Sequence, residues 1–160
     1  MPPSHPDLVA HLTQVIGARL LDPLEILLDG DSAVATLRRR VERHAGELAD
    51  RLIDGSRPQV VATAARLVAA LYPGDQAFDP PPDWWRTPLG QVVAHRVGHP
   101  AAASVSYPVA GAMLGITRQG VHDLLNRGRL ARHPDGGVAT TSIRTRLQRR
   151  AAAERKTQHD

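Results

Sequence analysis

The chain has 160 residues and a mass of 17.3 kDa, enough for one ordinary domain or two small ones and too little for a large catalytic barrel. Hydrophobic residues make up 42% of it but only five are aromatic, so the expected core is Ala, Val and Leu on helices, and the lack of cysteine excludes disulfides, a zinc finger and a thiol nucleophile. The net charge of +4 is uneven: residues 104–160 carry ten Lys and Arg against four Asp and Glu, whereas residues 1–103 carry ten against twelve. The basic end is therefore C-terminal. All the cations except Lys156 are Arg, which suits forked hydrogen bonding to phosphate or guanine, although a GC-rich genome would give the same bias.

The opening Met1-Pro2-Pro3-Ser4-His5-Pro6 has neither the basic start nor the apolar run of a signal peptide, so a frayed tail and a cytoplasmic protein are expected. Leu8, Leu12, Val15, Ile16 and Leu20 then recur at helical spacing until Asp22-Pro23 breaks the pattern. A second helix is predicted from Asp31-Ser32, either of which can cap it, to Asp54-Gly55. Along it Val34, Leu37, Val41, His44 and Leu48 alternate steps of three and four, which fits packing in a small bundle or a short coiled coil. Arg38, Arg39, Arg40 and Arg43 share this helix with Glu42, Glu47 and Asp50, as expected of a solvated, self-paired surface. A third helix starts near Pro58, carries Val60, Val61, Ala64, Leu67, Val68 and Leu71, and stops at Tyr72-Pro73-Gly74.

Gly74 to Pro88 brings together Phe78, Trp84, Trp85 and four prolines. It reads as an ordered strap whose rings plug a junction between the halves of the chain, with stacking on nucleobases as the alternative. A short helix is predicted from Thr87 to Gly98. The 21 residues between Arg96 and Arg118 carry no Asp, Glu, Lys or Arg, but Pro100, Pro108 and His99 argue against a membrane span. His95 and His99 have the four-residue spacing of many zinc sites, yet the residues between them include no general-base Glu, and Gly98 and Pro100 end the helix there. His122-Asp123 has no nucleophile beside it, and no phosphate-binding glycine loop or calcium loop occurs. No catalytic residue, metal or cofactor is expected, and the protein is read as a non-enzyme.

The informative stretch begins at Ser106, which can cap a short helix bearing Val109, Ala110, Met113 and Leu114. Gly115 supplies a turn, and Thr117 caps a second helix that ends at Gly128, a helix-turn-helix pattern. Val121, Leu124 and Leu125 would face the first helix, leaving Arg118, Gln119, His122, Asn126 and Arg127 outside; Arg118 and Gln119 lie in the first turn, where such a helix enters the major groove. Arg118 would prefer guanine and Gln119 adenine. Leu130 to His133 and Val138 to Thr140 can pair around Pro134-Asp135-Gly136-Gly137 as a two-stranded wing that places Arg132 and His133 near a neighbouring groove or backbone. A last helix from Thr141 or Ser142 points Ile143 and Leu147 inward, and Arg144, Arg146, Arg149 and Arg150 can neutralise phosphates.

Ala110 to Leu114, Gly115-Ile116-Thr117-Arg118-Gln119-Gly120-Val121, Asn126-Arg127-Gly128-Arg129-Leu130 and Val138 to Leu147 resemble the winged helix-turn-helix of excisionase and MerR-type proteins. Pro108-Val109 stands where that family usually has an acidic pair. The resemblance implies a second helix that reads the major groove, with Thr117, Arg118, Gln119, His122 and Arg127 at the matching positions and Arg132 in the wing.

The predicted architecture is mainly α: a helical assembly or partner unit over residues 1–73, the strap and short helix over 74–103, a winged helix-turn-helix over 104–152, and a tail. The expected function is sequence-specific binding of double-stranded DNA as a transcriptional regulator in the cytoplasm, at the nucleoid. An architectural or recombination-directionality factor and a protein-protein adaptor are the alternatives. One small module needs a second copy for useful specificity, so a homodimer is expected, with Val34, Leu37, Val41 and Leu48 as its contact. The same N-terminal helices could instead hold another protein.

Overall fold

The computed structural model describes residues 2–159, and the chain divides into two compact units, Pro3–Gln76 and the residues from Ala77 on. The architecture is predominantly α-helical with one small antiparallel strand pair near the C-terminus.

In the first unit α1 (His5–Ile16) starts at Ser4, whose hydroxyl accepts the Asp7 amide at 3.3 Å. The expected break at Asp22-Pro23 does not occur. A π-helical turn, Gly17–Leu21, carries the chain into α2 (Asp22–Leu27), and the Asp22 amide reaches back to the Gly17 carbonyl. Pro23, which has no N–H to donate, directly follows this wider turn, which accommodates it without ending the helix. α3 (Ser32–Asp54) is capped by the Asp31 carboxylate on the Ala33 amide at 2.7 Å, and Arg38 within it donates to Asp22 and Glu25 at 2.5 and 2.7 Å, tying α2 down. α1 packs on α3 through Leu8 and Leu12, and α3 turns Val34, Ala45, Ala49 and Leu52 inward. The small alanines let neighbouring backbones approach closely. α4 (Arg57–Leu71) opens with a reciprocal cap in which the Ser56 side chain accepts an amide and the Ser56 amide donates to Gln59 at 2.9 Å. Arg19 stacks over the Tyr72 ring at 4.4 Å.

The face proposed for a dimer is thus divided by the unit's own packing. Val34 is 1% exposed and belongs to the core, Val41 and Leu48 are half-buried, and Leu37 is exposed.

In the second unit the strap forms a short helix, α5 (Pro82–Arg86), before α6 (Pro88–Arg96). Thr87 joins them: its hydroxyl donates to the Trp84 carbonyl at 2.6 Å and accepts the Gly90 amide at 3.1 Å. A Cβ at position 90 would overlap the Trp84 carbonyl oxygen, which explains the glycine inside a helix. Phe78, Trp84 and Trp85 stack edge to face with centroids 5.0 Å apart, and Trp85 meets His99 at 5.3 Å. Trp85 is fully buried, so stacking of that ring on nucleobases is excluded. Gln91 donates to the Trp85 and Ala112 carbonyls at 2.6 and 3.0 Å, pinning α5 and α6 to α7 (Tyr107–Leu114).

β1 (Ser104–Val105) pairs antiparallel with β2 (Val138–Ala139), Ser104 opposite Ala139 and Val105 opposite Val138. The expected hairpin is present in its backbone bonds, His133 amide to Gly137 carbonyl at 3.0 Å and Ala139 amide to Ala131 carbonyl at 2.9 Å. β2 therefore bonds on both edges, and β1 is an addition that the sequence pattern did not predict. α8 (Arg118–Asn126) precedes the wing, and α9 (Thr140–Thr157) follows it and packs on α6 and α7.

Candidate nucleic-acid interface

The helix-turn-helix is held by backbone requirements legible in its residues. Ser106 accepts the Val109 amide at 3.4 Å to start α7, and Gly115 ends that helix at φ +69°, a left-handed conformation that side chains with a Cβ disfavour. Thr117 then accepts the Gly120 amide at 3.0 Å to start α8. Gly111 lets the two helices meet: a Cβ there would lie 2.8 Å from the Ile116 carbonyl oxygen and 3.6 Å from Val121. Val121 and Leu125 are buried, which turns the opposite side of α8 outward.

On that outer side Arg118, Gln119 and Asn126 are exposed and His122 is half-buried, with Thr117 and Arg127 exposed at the two ends. The side chains are partly linked to one another. The His122 ring meets Tyr107 edge to face at 4.6 Å, the Tyr107 hydroxyl accepts from Arg132 at 2.6 Å, and Arg132 donates to Asn126 at 3.4 Å. The wing arginine is thereby tied to the end of α8 and the start of α7. Gln119 donates to Asp123 at 3.4 Å. Tyr107 and Asp123 had no assigned part in the sequence reading, although Asp123 follows Gln119 by four residues, the spacing at which helical side chains become neighbours. An exposed carboxylate on this face could accept from the cytosine amino group.

The remaining predicted residues separate into different surroundings. His133 is half-buried and its Nδ1 accepts the Asp135 amide at 3.1 Å, so one ring nitrogen serves the wing turn. Arg144 is half-buried, with its aliphatic stem beside Gly98. Arg150 donates to the Leu114 carbonyl at 3.1 Å, closing the C-terminal end of α7. Arg146 and Arg149 line a groove between the segment after α8 and the outer side of α9, together with Arg129. Burial and then the positive neighbours Arg150 and Arg129 push the Arg146 guanidinium below its ordinary pKa.

His95 and His99 are committed locally. His95 Nδ1 lies 2.7 Å from the Gln91 carbonyl, and His99 Nδ1 accepts the Ala101 and Ala102 amides at 3.1 and 2.8 Å. Among the described residues no helix is long and apolar enough to cross a membrane.

No family model, no curated protein and no solved structure matches the chain. The arrangement itself, helices with a small strand pair near the C-terminus, is compatible with a winged-helix-like fold in the generic sense.

Proposed function

We propose that the protein binds double-stranded DNA in a sequence-specific manner, with α8 in the major groove, and acts as a transcriptional regulator by occupying an operator. The observation that carries this reading is the outer face of α8, where Arg118 and Gln119 stand exposed in the first turn and His122 and Asn126 follow on later turns. Arg and Gln present donors that match guanine and adenine edges, and the strongly basic C-terminal segment supplies attraction to the backbone. The resemblance to excisionase and MerR-type modules supports the same assignment of α8 and of Arg132 in the wing. In this reading the protein is not an enzyme, works at the nucleoid, and pairs with a second copy so that two modules engage two half-sites.

The test is selection of duplexes from a randomised pool by the purified full chain at about 0.15 M salt, where long-range attraction between exposed charges is screened. A recovered motif, weakened by Arg118→Ala at defined base positions, is the expected result. Recovery of duplex without any motif would replace the regulator with an architectural factor, and failure to bind duplex would leave a protein adaptor.

A further inference from the structure

A groove of about 680 Å³ lies between the segment Gly128 to Ala131 and the outer side of α9. Arg129 lies on one wall and Arg146, Arg149 and Arg150 on the other. Among the described residues Arg129, Arg146 and Arg149 have no carboxylate within ion-pair distance, unlike Arg38 with Asp22 and Glu25 or Arg86 with Asp83. Many surface arginines are unpaired. What distinguishes these is that they line one groove, where Arg150 and Arg129 are near enough to Arg146 to disfavour its charged form, and an anion in the groove would offset that repulsion. The hydroxyls nearby are already engaged: Ser142 donates to the Ala139 carbonyl and accepts the Ala131 amide, and Thr145 donates to the Thr141 carbonyl. Arg150 is engaged with the Leu114 carbonyl, so among the described residues the guanidinium groups of Arg129, Arg146 and Arg149 are the donors left for a ligand.

We propose that this groove seats consecutive phosphates of one strand of duplex DNA, outside the base pairs that α8 contacts; the inference rests on the DNA-binding reading. The shape and chemistry favour the backbone over a nucleotide. From Thr141 to Ala153 the wall runs about 18 Å at the helical rise, long enough for a few consecutive phosphates of one strand. Among the described residues no aromatic ring lines the groove to stack a base, and no carboxylate lines it to take sugar hydroxyls. Forked guanidinium groups suit phosphate oxygens. The footprint on DNA accordingly extends beyond the recognised base pairs on one side.

The experiment measures duplex binding by the full chain across a fourfold range of salt, for the wild type, Arg118→Ala, Arg129→Gln and the double variant Arg146→Gln/Arg149→Gln. Arg150 is left in place because it closes α7. Removing two phosphate contacts lowers the salt slope by about 2, so over that range the wild type loses roughly tenfold more affinity than the double variant. Arg129→Gln, on the opposite wall and outside α9, lowers the slope by about 1, which separates the effect from damage to the helix. Neither groove variant changes the preferred sequence. If both keep the wild-type slope while Arg118→Ala relaxes sequence preference, the groove assignment fails and the reading of α8 stands. If the slope falls but Arg118→Ala changes no preference, the groove stands and that reading of α8 fails. Thermal stabilisation by inorganic phosphate, at ionic strength matched with chloride, that disappears in the double variant while the duplex slope stays unchanged would assign the groove to a free anion and overturn the proposal. Absence of duplex binding at about 0.05 M salt overturns both.

Discussion

Arg118 stands exposed at the start of α8 and Gln119 beside it bonds within the helix, to Asp123 at 3.4 Å, whereas Asn126 at its end accepts from the wing residue Arg132. The two ends of the helix should therefore respond differently to substitution. Arg118→Ala and Gln119→Ala are each expected to cost about 1 to 3 kcal/mol on the preferred duplex and little on others, measured by titration against matched and scrambled sequences. Tyr107→Phe removes the hydroxyl that accepts from Arg132 at 2.6 Å but keeps the ring against His122. It should lower duplex affinity by about 0.5 to 1.5 kcal/mol through a less ordered wing while leaving thermal stability nearly unchanged. A large fall in melting temperature would show instead that the Tyr107 hydroxyl supports the fold. Arg118 and Gln119 could be picked out from helical spacing because that spacing sorts a surface helix into buried and outer sides. The Tyr107–Arg132 pair could not, since 25 residues separate the partners and a tertiary contact joins them.

Between elements, close backbone approach decides more than side-chain type. Gly111→Ala places a methyl 2.8 Å from the Ile116 carbonyl, so α7 and α8 must separate or the intervening turn must move. Overpacking of this kind costs about 1 to 3 kcal/mol, and sequence-specific binding should fall further than binding to random duplex because the tilt of α8 changes. Equal melting temperatures for Gly111→Ala and wild type would contradict this account of the glycine. The caps Ser106, Thr117 and Asp31 were legible because a side-chain oxygen before a periodic run satisfies free amides locally. The continuation through Asp22-Pro23 was not, because the π-helical turn that absorbs the proline depends on packing of residues 17–21 against α3. β1 escaped for a related reason: a two-residue strand has no alternation to detect, and its partner lies 33 residues or more away.

At the scale of the whole molecule, three histidines make stability depend on pH. Burial lowers the pKa of His11 in the first unit and of His95 and His99 in the second, outweighing the Gln91 carbonyl at His95 and Asp79 at His99, which favour the charged forms. The unfolded chain binds protons near the ordinary value of about 6.5, whereas the folded chain resists them until lower pH. The stabilisation is therefore present above about pH 6.5 and is lost as pH falls through the folded-state values. Thermal melts from pH 7.5 to 5 should show this decline, and His99→Gln should reduce its steepness; a flat profile would mean the rings are accessible to protons as they stand. The amino-acid sequence by itself determined the helices with a clear apolar period, most of their caps, the helix-turn-helix spacing and the basic C-terminal end, because periodicity and capping act over a few residues and charge is additive. Only the tertiary structure decided that Val34 is core, that β2 is bonded on both edges, that Arg150 closes α7, and that Arg129 meets the arginines of α9 in one groove. Those outcomes depend on which distant backbones come together, and no local pattern carries that information.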